Sequence, residues 1–197
     1  NQDSWKPRTL ALITCWTMSS LTGWAEPVPS FSLEDLSPRS VRYGQMVSPE
    51  DYRLQIMRIT LVGGMIVLPA QFAHLEDLLT EIQAENPGLN VEIIGVNRSD
   101  QAGNNALVTG LRSLPWLQDS DLSRLWSSWN VDYRDVRIVS SQQELAEVYN
   151  LTSHDLGLPD NRTSLKALLL KEAGVQDLDE DGLRDDWEVL YLQELAL

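Results

Sequence analysis

The stretch GGMIVLPAQFAHLEDLL, Gly63 to Leu79, decides the fold class, because it holds a turn and the start of a helix. The β-branched run IMRITLV precedes it and predicts a buried strand that ends at a glycine pair. Pro69 suits the first turn of a helix, where its missing N–H is not needed. A proline-glycine pair, Pro87-Gly88, ends the helix. The apolar stripe of this predicted helix recurs every three or four residues, at Phe72, Leu75, Leu79 and Ile82.

Strands and helices alternate in the sequence that follows. LNVEIIGVN, residues 89–97, is a near-continuous apolar run, and it predicts a parallel strand that is covered on both faces. This alternation is typical of an α/β layered sheet. The further predictions are a polar loop at 98–105, a helix at 106–111, a strand at 115–117, a helix at 120–129, a strand at 135–141 with a hairpin partner at 145–151, and a final helix at 164–174.

Several short motifs are similar to those of a known family. They are PSFSLEDL at 29–36, QFAHLEDL at 71–78, Val96-Asn97, Leu114-Pro115 followed by Gln118, and Asp135 before VRIV. Together they resemble the thioredoxin-like N-terminal domain of selenoprotein P and its bacterial relatives, in which QFAHLEDL looks like the helix directly after the redox motif. The resemblance implies an α/β fold with a thioredoxin-like central sheet flanked by helices, over a domain that we place at residues 26–174.

The same resemblance puts Met65 and Leu68 where that family carries its U-x-x-C or C-x-x-C redox pair. Thiol–disulfide exchange needs a thiolate or selenolate and a second sulfur that resolves the mixed disulfide. A thioether and an isobutyl group supply neither, and Cys15 is the only cysteine. The resemblance thus implies a redox fold whose inherited chemistry is lost. The MIVL segment then either packs at the turn or forms an exposed apolar patch that binds a peptide or protein.

The charge balance of the chain excludes some classes of partner. Its 197 residues include 29 acidic and 15 basic side chains, which leave a net charge of −14. Phosphate recognition needs clustered Lys and Arg, so we expect no nucleic-acid partner and no anionic membrane surface. The length and the 43% hydrophobic content predict one globular domain with a small appendage, and we expect a monomer.

Residues 1–25 have the layout of a secretory signal peptide. Lys6 and Arg8 precede the apolar stretch LALITCWTMSSLTGWA, which ends in small residues at Gly23 and Ala25. We therefore expect cleavage near Ala25, a secreted or periplasmic protein, and no membrane attachment after cleavage. The alternatives are a loose tail, or a lipoprotein in which Cys15 of LITC carries the lipid. Cleavage would remove the only thiol, and with it any disulfide or cysteine-based catalysis.

The acidic run DLDEDGLRDDWE, Asp177 to Glu188, matches the calcium-loop pattern D-x-[DN]-x-[DN]-G-x5-E at every position. Gly182 permits the sharp turn that points alternate side chains at one centre, and an all-oxygen ligand set suits calcium better than zinc. The run also looks like the repeats of thrombospondin type 3 and dockerin-like modules. We predict an EF-hand-like calcium-binding appendage at 175–197; the alternative is a solvated acidic linker. The expected ligands are Asp177, Asp179, Asp181, the Leu183 carbonyl, Asp185 and Glu188.

Other residues give weaker indications. His74 lies among charged helix positions and is interpreted as solvated, and His154 has only sequence neighbours, Ser153 and Asp155, to suggest a triad. The tryptophans at 116, 126 and 129 are interpreted as core residues or partly buried anchors. Formal glycosylation sequons begin at positions 97, 150 and 161.

Two classes of function remain open. The first is a non-enzymatic binding or scaffold module with calcium as its cofactor, which the missing thiols and the intact loop favour. The second is an enzyme descended from thiol peroxidases that uses another nucleophile, for which the sequence offers no constellation of catalytic residues.

Overall fold

The computed structural model describes residues 26–52, 68–89, 91–110, 112–140 and 142–173. The strands in these ranges are β1 (Leu33–Glu34), β2 (Met46–Val47), β3 (Gly95–Asn97), β4 (Trp116–Gln118), β5 (Asp135–Val139) and β6 (Leu145–Asn150). The α-helices are α1 (Leu68–Glu85), α2 (Asn105–Thr109), α3 (Leu125–Ser128) and α4 (Pro159–Glu172), and 3₁₀ helices cover Pro49–Tyr52 and Ser99–Asn104. The strand expected before Gly63, the expected signal peptide and the expected calcium appendage lie outside the described residues.

The described strands form three pairs, one parallel and two antiparallel. β3 and β4 are parallel, with Val96 opposite Leu117, while β1–β2 and β5–β6 are antiparallel pairs. A bridge between Asp35 and Leu117 joins β1 to β4. The predicted hairpin between residues 135 and 151 is therefore confirmed, and the strand predicted at 89–97 is parallel as expected but covers only Gly95–Asn97.

Side chains alternate across β3 and bury both of its faces. In the extended segment that leads into β3, Ile93 packs with α1 and α4 in one apolar cluster, whereas Ile94 and, on β3, Val96 pack with the N-terminal segment and α3 in another. A strand that is covered on both faces needs a continuous apolar sequence, which is what the 89–97 run supplies. Trp116, Trp126 and Trp129 are buried, as interpreted from the sequence.

Two helices differ from their predicted bounds. The helix expected at 120–129 shrinks to α3, because Arg124 has a left-handed backbone with φ of 51° and an α-helix cannot run through it. The helix expected from Ser164 begins earlier, because Pro159 occupies its first turn. Part of the predicted polar loop, at Ser99–Asn104, is a 3₁₀ helix. Among the described residues, no helix is long and apolar enough to cross a membrane.

Candidate functional site

The structure describes the first turn of α1, which begins at the second position of the expected redox pair. Leu68 is the first residue of α1, and Pro69 follows it in the first turn, as predicted. Met65 lies outside the described residues, as do the expected calcium ligands at 177, 179, 181, 183, 185 and 188. The site that can be built residue by residue is thus the α1 corner, which we define as Leu68–His74, Tyr133–Asp135 and His154–Gly157.

Gln71 fastens α1 to the loop between β6 and α4. Its side chain is only 5% exposed, and both ends of the amide are used. The Nε2 atom donates to Asp155 Oδ1 at 2.7 Å, and Oε1 accepts from the Leu156 N–H at 3.0 Å. A buried amide with satisfied donor and acceptor fixes the relative position of the two segments. The loop is therefore held against the first turn of α1.

Asp155 is held in its ionised form. Its Oδ1 accepts from the Gly157 N–H at 2.7 Å as well as from Gln71. The Gly157 N–H, then the Gln71 amide and the charges of His74 and Arg134 lower the pKa of the Asp155 carboxyl below its ordinary value. A general base works best when its pKa lies near the working pH. Asp155 is therefore better suited to positioning the loop than to accepting a proton.

Among the described residues, neither histidine of the α1 corner contacts a set of catalytic partners. His74 is half-buried rather than fully solvated, and a Cβ atom on Gly157 would lie 3.9 Å from its Nε2. His154 is exposed, its ring lies 4.5 Å from that of Tyr149, and its Nδ1 is 3.0 Å from the Asn150 carbonyl oxygen. The His154 ring is thus engaged in packing and in a local backbone contact.

A buried ion pair marks the start of β5, beside Arg134. Asp135 Oδ2 lies 3.5 Å from Arg137 Nη2, and both side chains are buried. The amide of Asn150 and the backbone N–H of Asp132 donate to the Asp135 carboxylate at 2.9 Å each. In the sequence, Asp135 stands out only as part of a motif. The available signal was its spacing, because residues two apart on a strand share a face, so Asp135 and Arg137 are paired by position.

An amide cluster lies at the carboxyl end of the parallel pair. Asn97 Nδ2 donates to the Gln101 carbonyl, to Asn105 Oδ1 and to Gln118 Oε1 at 2.8, 2.8 and 3.2 Å. Trp116 Nε1 donates to the same Asn105 oxygen at 2.8 Å. The strands thus bring together two of the quoted motifs, Val96-Asn97 and the segment ending at Gln118. Asn97 is buried, so its sequon is closed in the folded chain.

The chemistry that these residues can carry out is limited. The described ranges contain no cysteine, and they contain no group of three or more His, Cys, Asp or Glu side chains that could hold a metal ion. The α1 corner is instead fixed by amide, carboxylate and backbone contacts. Such an arrangement can hold a binding surface in place, but among the described residues it offers no activated nucleophile.

Comparison with solved structures identifies the fold of this chain. No protein-family model matches the sequence, and no curated protein matches it. Solved structures do match. A candidate thiol:disulfide interchange protein DsbE from Chlorobium tepidum has a TM-score of 0.56 at 11% identity, over 76% of this chain and 97% of that one.

Two further solved structures also match this chain. BsSco, a member of the Sco family of cytochrome c oxidase assembly proteins, has a TM-score of 0.54 at 14% identity, over 78% and 96% of the two chains. A thiol:disulfide interchange protein of the thioredoxin family from Chlorobium tepidum TLS has a TM-score of 0.50 at 13% identity, over 76% and 97%. The chain therefore has the thioredoxin-like α/β fold, as predicted. The narrower relation to selenoprotein P stays a prediction.

Proposed function

We propose that this chain is an exported, redox-inactive relative of the thioredoxin-like domain of selenoprotein P, acting as a binding or scaffold module. One observation carries the proposal: the chain has a single cysteine, Cys15, whereas thiol–disulfide exchange needs two sulfurs or selenium at one site. The satisfied contacts of Gln71 and Asp155 support it, since they position the α1 corner without preparing a nucleophile.

The experiment is a turnover assay on the purified chain. Insulin disulfides and a hydroperoxide are offered with a thiol donor, and we expect rates equal to those of a heat-denatured control. Turnover above that control would contradict the proposal. It would favour the second candidate, a thiol-peroxidase-derived oxidoreductase with a different nucleophile.

The position of the lost pair is tested by restoring it. In the double variant Met65→Cys, Leu68→Cys, we expect a reducible disulfide, because a helix N-terminus lowers the pKa of a thiol and favours exchange. Thiol titration before and after reduction measures it, and Met65→Cys alone is the matched control. If no disulfide forms under oxidising conditions, the redox position is wrongly assigned.

We further propose that Asp177–Glu188 binds one calcium ion. The support is the full match to the loop pattern, in which crowded carboxylates repel one another until a divalent cation joins them. A single loop of this kind should bind weakly, with a dissociation constant on the order of 10⁻⁴ to 10⁻³ M. Calorimetry is compared with Glu188→Gln, which removes the bidentate ligand. Equal heats for the two proteins would reduce the segment to an acidic linker.

The proposal of export rests on Lys6, Arg8 and the apolar stretch that follows them. When the chain is expressed with this segment, we expect an N-terminus near Glu26 in the secreted or periplasmic fraction. Terminal sequencing of that fraction checks it. An uncleaved chain that stays in the cell would contradict it.

A further inference from the structure

A groove lies at the carboxyl ends of β3 and β4, outside the α1 corner. Its volume is about 650 Å³, which is the size of a small-molecule site. One wall, with Arg98 and Asp100, follows β3, and the other, with Asp121 and Arg124, follows β4. Trp126 also lines the groove, with 9% of the residue exposed. In open α/β sheets, the crevice beyond the carboxyl ends of the strands is where ligands bind.

Several charges of the groove are already satisfied within the chain. Asp119 is buried and accepts from the backbone N–H groups of Ser120, Leu125 and Trp126 at 2.8 to 3.1 Å. Arg98 donates through Nε and Nη2 to the two oxygens of Asp100, at 2.5 and 2.6 Å. These paired groups form the walls of the groove.

Two opposite charges stay available. Arg124 donates its Nε to the Asp121 carbonyl at 2.9 Å, which leaves both Nη atoms without a hydrogen bond in the described residues. The Asp121 carboxylate, on the same turn, is likewise without one there. Both side chains are exposed. The groove therefore presents a free guanidinium and a free carboxylate next to an indole.

The backbone holds Arg124 in this position at a cost. Its φ of 51° is unfavourable for a residue with a Cβ, and such conformations persist where the surroundings enforce them, often at functional sites. Here the enforcing contacts are the Arg124 N–H to the Ser120 carbonyl at 2.8 Å and the Asp119 carboxylate on the next two N–H groups. The side chain is thus presented from a rigid turn.

We propose that this groove binds a small zwitterion, an α-amino acid, whose carboxylate meets Arg124 and whose ammonium group meets Asp121. The planar guanidinium suits a carboxylate, and the remaining nitrogen of Arg98 is a second donor from the opposite wall. The side chain of the ligand lies against Trp126. The inference names a ligand for the binding role proposed above and rests on it. The two are tested apart, because redox inactivity and calcium binding are measured without this ligand.

The experiment uses the full chain labelled with nitrogen-15, and it follows the indole N–H of Trp126. This N–H donates to the Val96 carbonyl at 3.3 Å, and its resonance is assigned with Trp126→Phe. The probes are L-leucine, N-acetyl-L-leucine, which lacks the ammonium charge, and L-leucinamide, which lacks the carboxylate. We expect a saturable shift with L-leucine, and binding at least about tenfold weaker for each of the other two, because each loses a hydrogen bond to a charged group.

The variants locate the site. Arg124→Gln and Asp121→Asn should each weaken L-leucine binding about tenfold or more, whereas Arg39→Gln, an exposed arginine outside the groove, should leave it unchanged. If Arg124→Gln alters the fold by circular dichroism, Arg98→Gln replaces it. No saturable shift up to about 20 mM, well into the millimolar range, would overturn the proposal. Equal binding of all three probes, or unaltered binding in both groove variants, would overturn it as well.

Discussion

Replacing Gly95 by alanine tests how α1 is seated on the parallel strands. Phe72, in the first turns of α1, and Trp116, on β4, meet edge to face above Gly95 with ring centroids 5.1 Å apart. A Cβ on Gly95 would approach Trp116 Cε3 most closely, and it would lie 2.6 Å from Trp116 Cζ3 and 2.9 Å from Phe72 Cε2. Carbon atoms in good contact are about 3.5–4.0 Å apart, so both rings would have to move by about 1 Å.

The expected cost follows from how little room the rings have. Phe72 and Trp116 are 0% and 1% exposed, so neither can swing into solvent. Adding a methyl group to a well-packed core costs about 1–3 kcal/mol, and here two aromatic rings must shift together. We therefore expect Gly95→Ala to lower the free energy of unfolding by about 3 kcal/mol. For a protein of this size, that corresponds to a fall in Tm of roughly 6–12 °C.

Urea unfolding followed by far-UV circular dichroism measures the change. Gly103→Ala is the matched control, because no described atom lies within 4 Å of its Cβ position. At such a site, alanine restricts the unfolded chain and should change stability by less than about 1 kcal/mol. If the two variants unfold at the same urea concentration, the packing of Phe72 and Trp116 over Gly95 is not what seats α1.

Three further predictions concern single polar groups. Asp119→Ala should destabilise the chain by about 2–3 kcal/mol, because three N–H groups lose their acceptor. Asp121 is exposed, so Asp121→Ala is the control, and it should change the free energy of unfolding by no more than about 0.5 kcal/mol in the same urea assay. Asn97→Asp places a carboxylate against three acceptors, so it should cost about 3 kcal/mol at neutral pH and less in acid, where protonation restores a donor. Burial raises the pKa of the Glu92 carboxyl above its ordinary 4.5, with the Arg42 charge opposing this. The folded chain therefore loses stability as the pH rises above 4.5, and Glu92→Gln should raise Tm by an amount that grows over that range.

Periodicity and apolar runs predicted the helices and strands whose formation depends on burying an apolar face. The stripe from Phe72 to Ile82 is buried along α1, and Ile93, Ile94 and Val96 of the apolar run are buried in the two clusters on either side of the segment that contains β3. Both signals are local, because they depend only on the spacing of side chains along one element. The α/β fold class followed from the order of such elements.

The parts that sequence analysis missed depend on contacts between distant residues. Asn97 and Gln118 are 21 residues apart, and only the register of β3 on β4 brings their amides together. Asp119 bonds to N–H groups six and seven residues ahead, across a left-handed Arg124 that no apolar period reveals. The groove depends on the register of β3 on β4 and on the left-handed Arg124, so its position could not be predicted before the strand register was known.

The described contacts also bear on the proposal that this thioredoxin-like fold lacks its redox pair. α1 is held by the Phe72–Trp116 stack over Gly95 and by the Gln71 amide, and each contact uses carbon, nitrogen or oxygen atoms. None of these contacts involves a sulfur atom, and all of them lie at or after the first turns of α1. On the proposed placement of the redox pair, apolar side chains at Met65 and Leu68 would remove the exchange chemistry without removing these supports, as expected when function lies in a site grafted onto a fold.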